Sequence, residues 1–432
     1  MLLAHGVGQV YELPIPLWAY LFGAAATVAA SFIIRALAKG DAPLHPDRRL
    51  AGPGAARVVI RVLRVVGLAG LLLALVSGLL ALEDGITFTT LLFWVGGVVG
   101  ITLVSAVVAG TWEAIDPWAT IERFYRLEDT EETEKNLVPP WWLGPLLVFV
   151  LFWFELASGV GFDAVWVVVA LIVYSLFVLA LRARLGARWP LVDPFSILFG
   201  LAARSAPLRL TPDGIFSKSL VADLDEERPM PWPLYASVFV MLGATTYDNL
   251  SETVGWSTAM RVTGLRELPE LLLATLSLFA LIVPFWLTFM AAVLAARRWF
   301  GDRFALHDVA RHLGWSLVPI GIAYVLAHNA PLVMTGFPEM LRSLSDPIHR
   351  GWNLFGTSDA LLWYFPSPQF VWFVEIALIV GGHIIAVLAG HRIALRLAPT
   401  PGAAVKSQYA LTVLMSVYTI TTLWLLAQPL VA

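Results

Sequence analysis

Apolar runs of about twenty residues, separated by polar connections, recur along the whole of the 432-residue chain. A run of that length crosses a bilayer's hydrocarbon core as one helix. Inside that core every backbone amide must be satisfied within the protein, which a helix does by itself. The chain is therefore predicted to be all-α, a polytopic transmembrane helical bundle forming a single transmembrane domain over 1–432. Ten spans are read: 15–37, 58–82, 88–110, 142–160, 163–182, 233–252, 271–295, 313–330, 371–396 and 408–428. Composition agrees, with 59% hydrophobic and 14% charged residues, where soluble domains carry about a quarter charged. Eighteen Trp and ten Tyr suit the aromatic belts at the two interfaces. The implied partner is the lipid bilayer, and a net charge of −3 argues against nucleic acid. With no cysteine there can be no disulfide, thiolate site or thiol nucleophile, so any metal ligands must be His and carboxylates.

Lys and Arg set the orientation. The first connection holds Lys39, Arg48, Arg49 and Arg57, whereas the second, Glu83-Asp84, has no base. Bases return after spans three, five, seven and nine. Every second connection is thus basic, which predicts both termini outside, N-out and C-out. The regions 111–140 and 183–232 become cytoplasmic loops with amphipathic or interfacial helices, and 331–370 an extracytoplasmic loop. The outer connections 253–270 and 331–370 also carry arginine, and the longer one has room for a short helix at Pro338–Leu344. The opening MLLAHG lacks a basic start and a long apolar stretch, so it is not a complete signal peptide, and span one exports its own tail.

Trp112-Glu-Ala-Ile-Asp116-Pro117-Trp118 is echoed by Trp189-Pro-Leu-Val-Asp193-Pro194-Phe195. Both follow a helical hairpin, which suggests a two-helix internal repeat of spans 2–3 and 4–5. Read structurally, each Asp caps a helix, each Pro occupies its first turn, and the aromatics anchor it at the headgroups. Gly96 and Gly100 form a small-xxx-small pair, and Pro284 and Pro319 are expected to kink spans seven and eight.

Titratable groups inside spans are costly and mark function by default. Asp248 and Glu252 are four apart at the outer end of span six, and Tyr324 and His328 are four apart at the outer end of span eight. Span nine carries Glu375, His383 and His391. Glu375 is shallow on the outer side, and His383 lies about 18 Å below the start of its helix. With Glu155, the outer half collects six such groups, while the inner half offers His391 and little else. Imidazoles with carboxylates can hold a divalent metal and position a water, or relay protons. Glu375 and His383 are about 12 Å apart along the axis and roughly 80° around it, so one cannot assist the other without a neighbouring helix. The structural alternative for each is a cap, a packed imidazole or a solvated helix end. His391 beside Arg392 reads as structural, and His307 and His312 as a cytoplasmic surface face. No nucleotide-binding, nucleophile-elbow, zincin or CxxC motif is present.

Several phrases together point to a family. They are His5-Gly6 with Tyr11-Glu-Leu-Pro14-Ile-Pro16-Leu-Trp18, the two Asp-Pro motifs, Tyr324-x-x-Ala327-His328, Ser345-Asp346-Pro347 with Gly351-Trp352-Asn-Leu-Phe355-Gly356-Thr357, and Gly382-His383-x-x-Ala386-Val387-x-Ala389-Gly390-His391. From His5 to the C-terminus the chain resembles bacterial integral membrane proteins labelled fenitrothion hydrolase. The resemblance implies a multi-pass protein of the bacterial plasma (inner) membrane that hydrolyses an organophosphate-type ester. Members carry a further His three residues before the position of His328, where this chain has Val325. In many members a signal peptide ends just before the His-Gly pair, and here only Met1–Ala4 precede His5.

The sequence thus leads to a metal-assisted ester hydrolase with an outward-facing pocket for a small-molecule substrate. Zinc or copper would be held by His328, His383 and Glu375, with Asp248 or Glu252 as a further ligand or general base. His5 would be a further ligand if processing made it the first residue. Ten spans and titratable groups at mid-depth equally fit a transporter or permease coupled to protons or cations. The third reading is a non-catalytic membrane subunit, alone as a homo-oligomer or with other membrane subunits.

Overall fold

The computed structural model describes residues 16–37, 44–81, 87–125, 139–301, 303–357 and 367–428. It is 76% helical. In chain order come α1 (Leu17–Leu37), β1 (Arg48–Ala51), α2 (Pro53–Ala81), α3 (Phe88–Leu91), a π-helical stretch Leu92–Val99, and α4 (Gly100–Val107). Then follow β2 (Val108–Ala109), α5 (Thr111–Ile115), α6 (Pro117–Tyr125), α7 (Leu143–Leu156), α8 (Ala164–Leu185), α9 (Pro194–Ala203), β3 (Leu208–Thr211) and β4 (Gly214–Ser217). The remainder is α10 (Trp232–Ser251), α11 (Val254–Val262), α12 (Glu270–Arg297), α13 (Leu306–Gly314), α14 (Val318–His328), α15 (Ala330–Ser343), α16 (Pro368–Leu397), α17 (Pro401–Ser407) and α18 (Tyr409–Leu426).

Among the described residues, eight helical segments are long and apolar enough to cross a membrane. Two further expected spans are helical but fall outside that set. α7 has only 14 residues, and α10 carries Thr245, Thr246, Asp248 and Asn249 in its last two turns.

The described residues gather into two compact units. The first lies within 47–218 and 331–357; the second lies within 16–46, 219–330 and 367–428.

The first unit contains a small sheet that helical periodicity does not announce, in the order β1-β4-β3-β2. The β3–β4 hairpin is antiparallel and pairs Leu208 with Ser217, while β2 joins β3 in parallel. Gly110, at φ +88, turns the chain out of β2, and a Cβ there would lie 2.2 Å from the Leu210 carbonyl oxygen. The two Asp-Pro motifs do cap helices. Asp116 accepts from the Ala119 amide at 3.0 Å and Asp193 from the Ser196 amide at 2.8 Å. Their aromatics are not surface anchors, however. Trp112, Trp118 and Phe195 are buried together with Phe199, against the half-buried Tyr174. The Trp112 indole donates to Ser196 Oγ at 2.8 Å, so the first motif is bonded to the second. Each aspartate has a side-chain partner beyond its cap: the buried Arg182 for Asp116 and the Tyr174 hydroxyl for Asp193. Gly96, expected to mediate helix contact, lets Met340 of α15 approach, with its sulfur 3.1 Å from where a Cβ would stand.

In the second unit Leu306–His328 is one helical segment that changes pitch just before Pro319. α13 ends at Gly314, a 3₁₀ turn covers Trp315–Leu317, and α14 restarts with Pro319 in its first turn. Pro284 sits inside a continuous α12. At the next residue, the Phe285 carbonyl accepts from the Tyr418 hydroxyl of α18 at 3.2 Å.

Candidate functional site

α14 is the pivot of the second unit. Between Val318 and Ala327 every residue is buried. α16 lies against it, because Gly382 has no side chain: a Cβ there would stand 2.4 Å from Ala323 Cβ and 2.7 Å from the Pro319 carbonyl oxygen. Further along, Gly390 faces Ser316. The contacts run in opposite order along the two helices, so α14 and α16 are antiparallel. Gly381, the other half of the glycine pair, has open space and lines an apolar groove of about 450 Å³ against Tyr20, Gly23 and Thr27 of α1.

Where α14 ends, it meets the end of α10. His328 Nε2 lies 2.5 Å from Asp248 Oδ2. Their side chains are only 7% and 16% exposed. An imidazole bonded to a carboxylate inside a protein is a proton-holding unit, able to exist as neutral acid and base or as an ion pair. A polar shelf supports it. Asn249 Nδ2 donates to the Tyr324 hydroxyl at 3.2 Å and to the Thr245 carbonyl at 2.9 Å. Thr246 also bonds the Tyr324 hydroxyl. Glu252, the C-cap of α10, lies within electrostatic reach of His328. α10 is held in place by Gly243, whose missing Cβ would stand 2.7 Å from Ile282 of α12.

No family model, curated protein or solved structure matches the chain. The chemistry of the site is therefore read from its own residues.

Of the six expected site residues, the structure brings two together, Asp248 and His328, with Glu252 nearby. Glu375 and His383 stand apart from that pair. His328 lies five residues past Ala323, about 7.5 Å along α14. Glu375 lies seven residues before Gly382, about 10 Å in the same direction. Glu375, rather than His383, is thus on the level of His328. It is 6% exposed and makes no hydrogen bond or ion pair among the described residues. His383 is 1% exposed. Its Nδ1–H donates to the Ile379 carbonyl at 2.8 Å, and its buried Nε2 has no partner among the described residues. His5 lies outside the described residues.

His391 is a packed imidazole. It is 2% exposed, and its Nδ1 accepts from Gln408 Nε2 at 3.0 Å. His307 is exposed as expected, but His312 is buried edge-on to Phe304 rather than on a surface face. Among the described residues no group of three His, Asp or Glu side chains converges as a metal-binding set. The residues that spacing alone did not single out are Asn249 and Thr246. Their signal was adjacency to Asp248 on a helix otherwise made of apolar residues.

Proposed function

We propose that this chain is a multi-pass permease of a bacterial inner membrane and that the Asp248–His328 pair is its proton-binding centre. The observation that carries this reading is the pair itself, a mostly buried carboxylate–imidazole contact between two helix ends. Intramembrane acid–imidazole sets are the parts from which proton relays are made. The 3₁₀ turn Trp315–Leu317 just before Pro319 supports it, since a 3₁₀ stretch inside a longer helix is a place for a hinge. Buried Glu375 and His383 add titratable groups at two further levels of the same unit. Ten crossings, with both termini outside, follow from the alternating basic connections, and α7 and α10 are then the two shorter or more polar spans. The repeat of spans 2–3 and 4–5 rests on the two Asp-Pro caps, each following a pair of helices.

A second reading, ester hydrolysis, has one observation in its favour. Asp248 holds one nitrogen of His328, as a carboxylate does when it orients a general-base imidazole. The resemblance to the fenitrothion hydrolase family leans the same way. Purified protein in proteoliposomes separates them, using radiolabelled small solutes and a chromogenic phosphotriester. Accumulation of a solute under an inward proton gradient supports the permease. Turnover of the ester without accumulation of any solute rejects it in favour of the hydrolase.

A further inference from the structure

The first unit carries a group of arginines that no carboxylate answers among the described residues. α2 opens directly after β1, and Arg57, Arg61 and Arg64 fall at i, i+4 and i+7 on one stripe of it. On one side of the stripe the helix is packed: Ala56 and Ile60 are buried, and Gly67 rides on α5, where a Cβ would stand 1.7 Å from the Ile115 carbonyl oxygen. On the other side Val58, Val62 and Val65 are 58%, 54% and 68% exposed. Arg123, in the last turn of α6, lies with Arg61 within electrostatic range of Arg64. Arg61, Arg64 and Arg123 make no hydrogen bond or ion pair among the described residues, and Arg64 Nε is buried without a partner. The nearby carboxylates Asp116 and Glu122 are engaged by Arg182.

Three guanidiniums at this range repel one another, so the arrangement is stable with an anion between them. Guanidinium matches phosphate geometry in bidentate fashion. The exposed valines on one flank place the stripe where apolar helix surface gives way to charge, the depth of lipid phosphates. We propose that Arg61, Arg64 and Arg123 bind the phosphate of an anionic phospholipid at the junction of α2 and α6. The proposal rests on α2 lying in a membrane and is independent of the permease reading.

Native mass spectrometry of the purified full-length protein tests it, with phosphatidylglycerol, phosphatidylcholine and inorganic phosphate as separate probes. The wild type should retain phosphatidylglycerol over phosphatidylcholine. R61Q/R64Q should bind it roughly 30-fold more weakly, from the worth of two basic groups near a lipid surface. R61K/R64K, which keeps the charge, should bind more tightly than R61Q/R64Q. Should both double variants fail to fold, R123Q at the exposed position should weaken binding about fivefold. Equal retention by wild type and the Gln variants overturns the proposal. So does inorganic phosphate binding as tightly as the lipid. An acidic run, Glu128, Asp129, Glu131, Glu132 and Glu134, follows α6 in the sequence. Lipid binding that appears only after these are neutralised assigns the arginines to that run and also overturns it.

Discussion

Tyr324 separates support from chemistry at the proposed centre. Its hydroxyl is bonded to Asn249 and Thr246, not to Asp248 or His328. Tyr324→Phe removes one neutral hydrogen-bonding group and should cost about 1 kcal/mol in thermal unfolding, with activity within a few-fold of wild type. A loss of activity beyond tenfold at unchanged stability would move the hydroxyl into the reaction path. Asp193 provides a pH test. Burial raises its carboxyl above the ordinary range, and its bonds to Ser196 and Tyr174 pull it back only in part. A carboxyl raised in the folded state binds its proton more tightly there than in the unfolded chain. Its stabilisation is therefore greatest at low pH and is lost as pH rises through the folded-state value. Relative to D193N, the wild type should gain thermal stability as pH falls toward the ordinary carboxylate range; a gain in the opposite direction would contradict the burial argument. Much of this was legible in the sequence. Asp248 and His328 stood out because charge inside an apolar run is costly, and both Asp-Pro caps follow from residue type. The pairing of Asp248 with His328, 80 residues apart, was not legible, because periodicity orders residues on one helix and says nothing of which helix faces it. The burial of Trp112 and Trp118 was hidden for a related reason: an indole suits a headgroup belt and a core equally well.

At the level of elements, close approach of α14 and α16 depends on Gly382. Gly382→Leu would drive a side chain into Ala323 and the Pro319 carbonyl, and overpacking of this kind costs about 1–3 kcal/mol. The expected signature is a lowered unfolding temperature in detergent, whereas Gly381→Leu, facing open space, should leave it nearly unchanged. Equal effects at the two positions would show that the helices do not meet as described. A Gly-Gly pair signals helix contact in the sequence, yet which of the two is used depends on the rotation of α16. The four-stranded sheet escaped the sequence reading because its strands are two to four residues long, too short for a period of two to emerge.

At the level of the molecule, apolar run length carried the fold class, since a hydrocarbon medium leaves few alternatives to helices. It could not foresee two compact units, because lipid-facing and protein-facing apolar surfaces use the same residues. The proposed N-out, C-out arrangement predicts that a reporter fused after Ala432 is active outside the cytoplasm, and activity confined to the cytoplasm would reject it. The central claim is that Asp248 and His328 bind the proton that drives transport. D248N keeps the size of the side chain and removes its charge, so it tests that claim most directly. Wild-type and D248N proteoliposomes would be compared for solute accumulation under an acid-outside pH gradient. The wild type is expected to accumulate solute above equilibrium, while D248N exchanges it only to equilibrium. Full gradient-driven accumulation by D248N would contradict the claim.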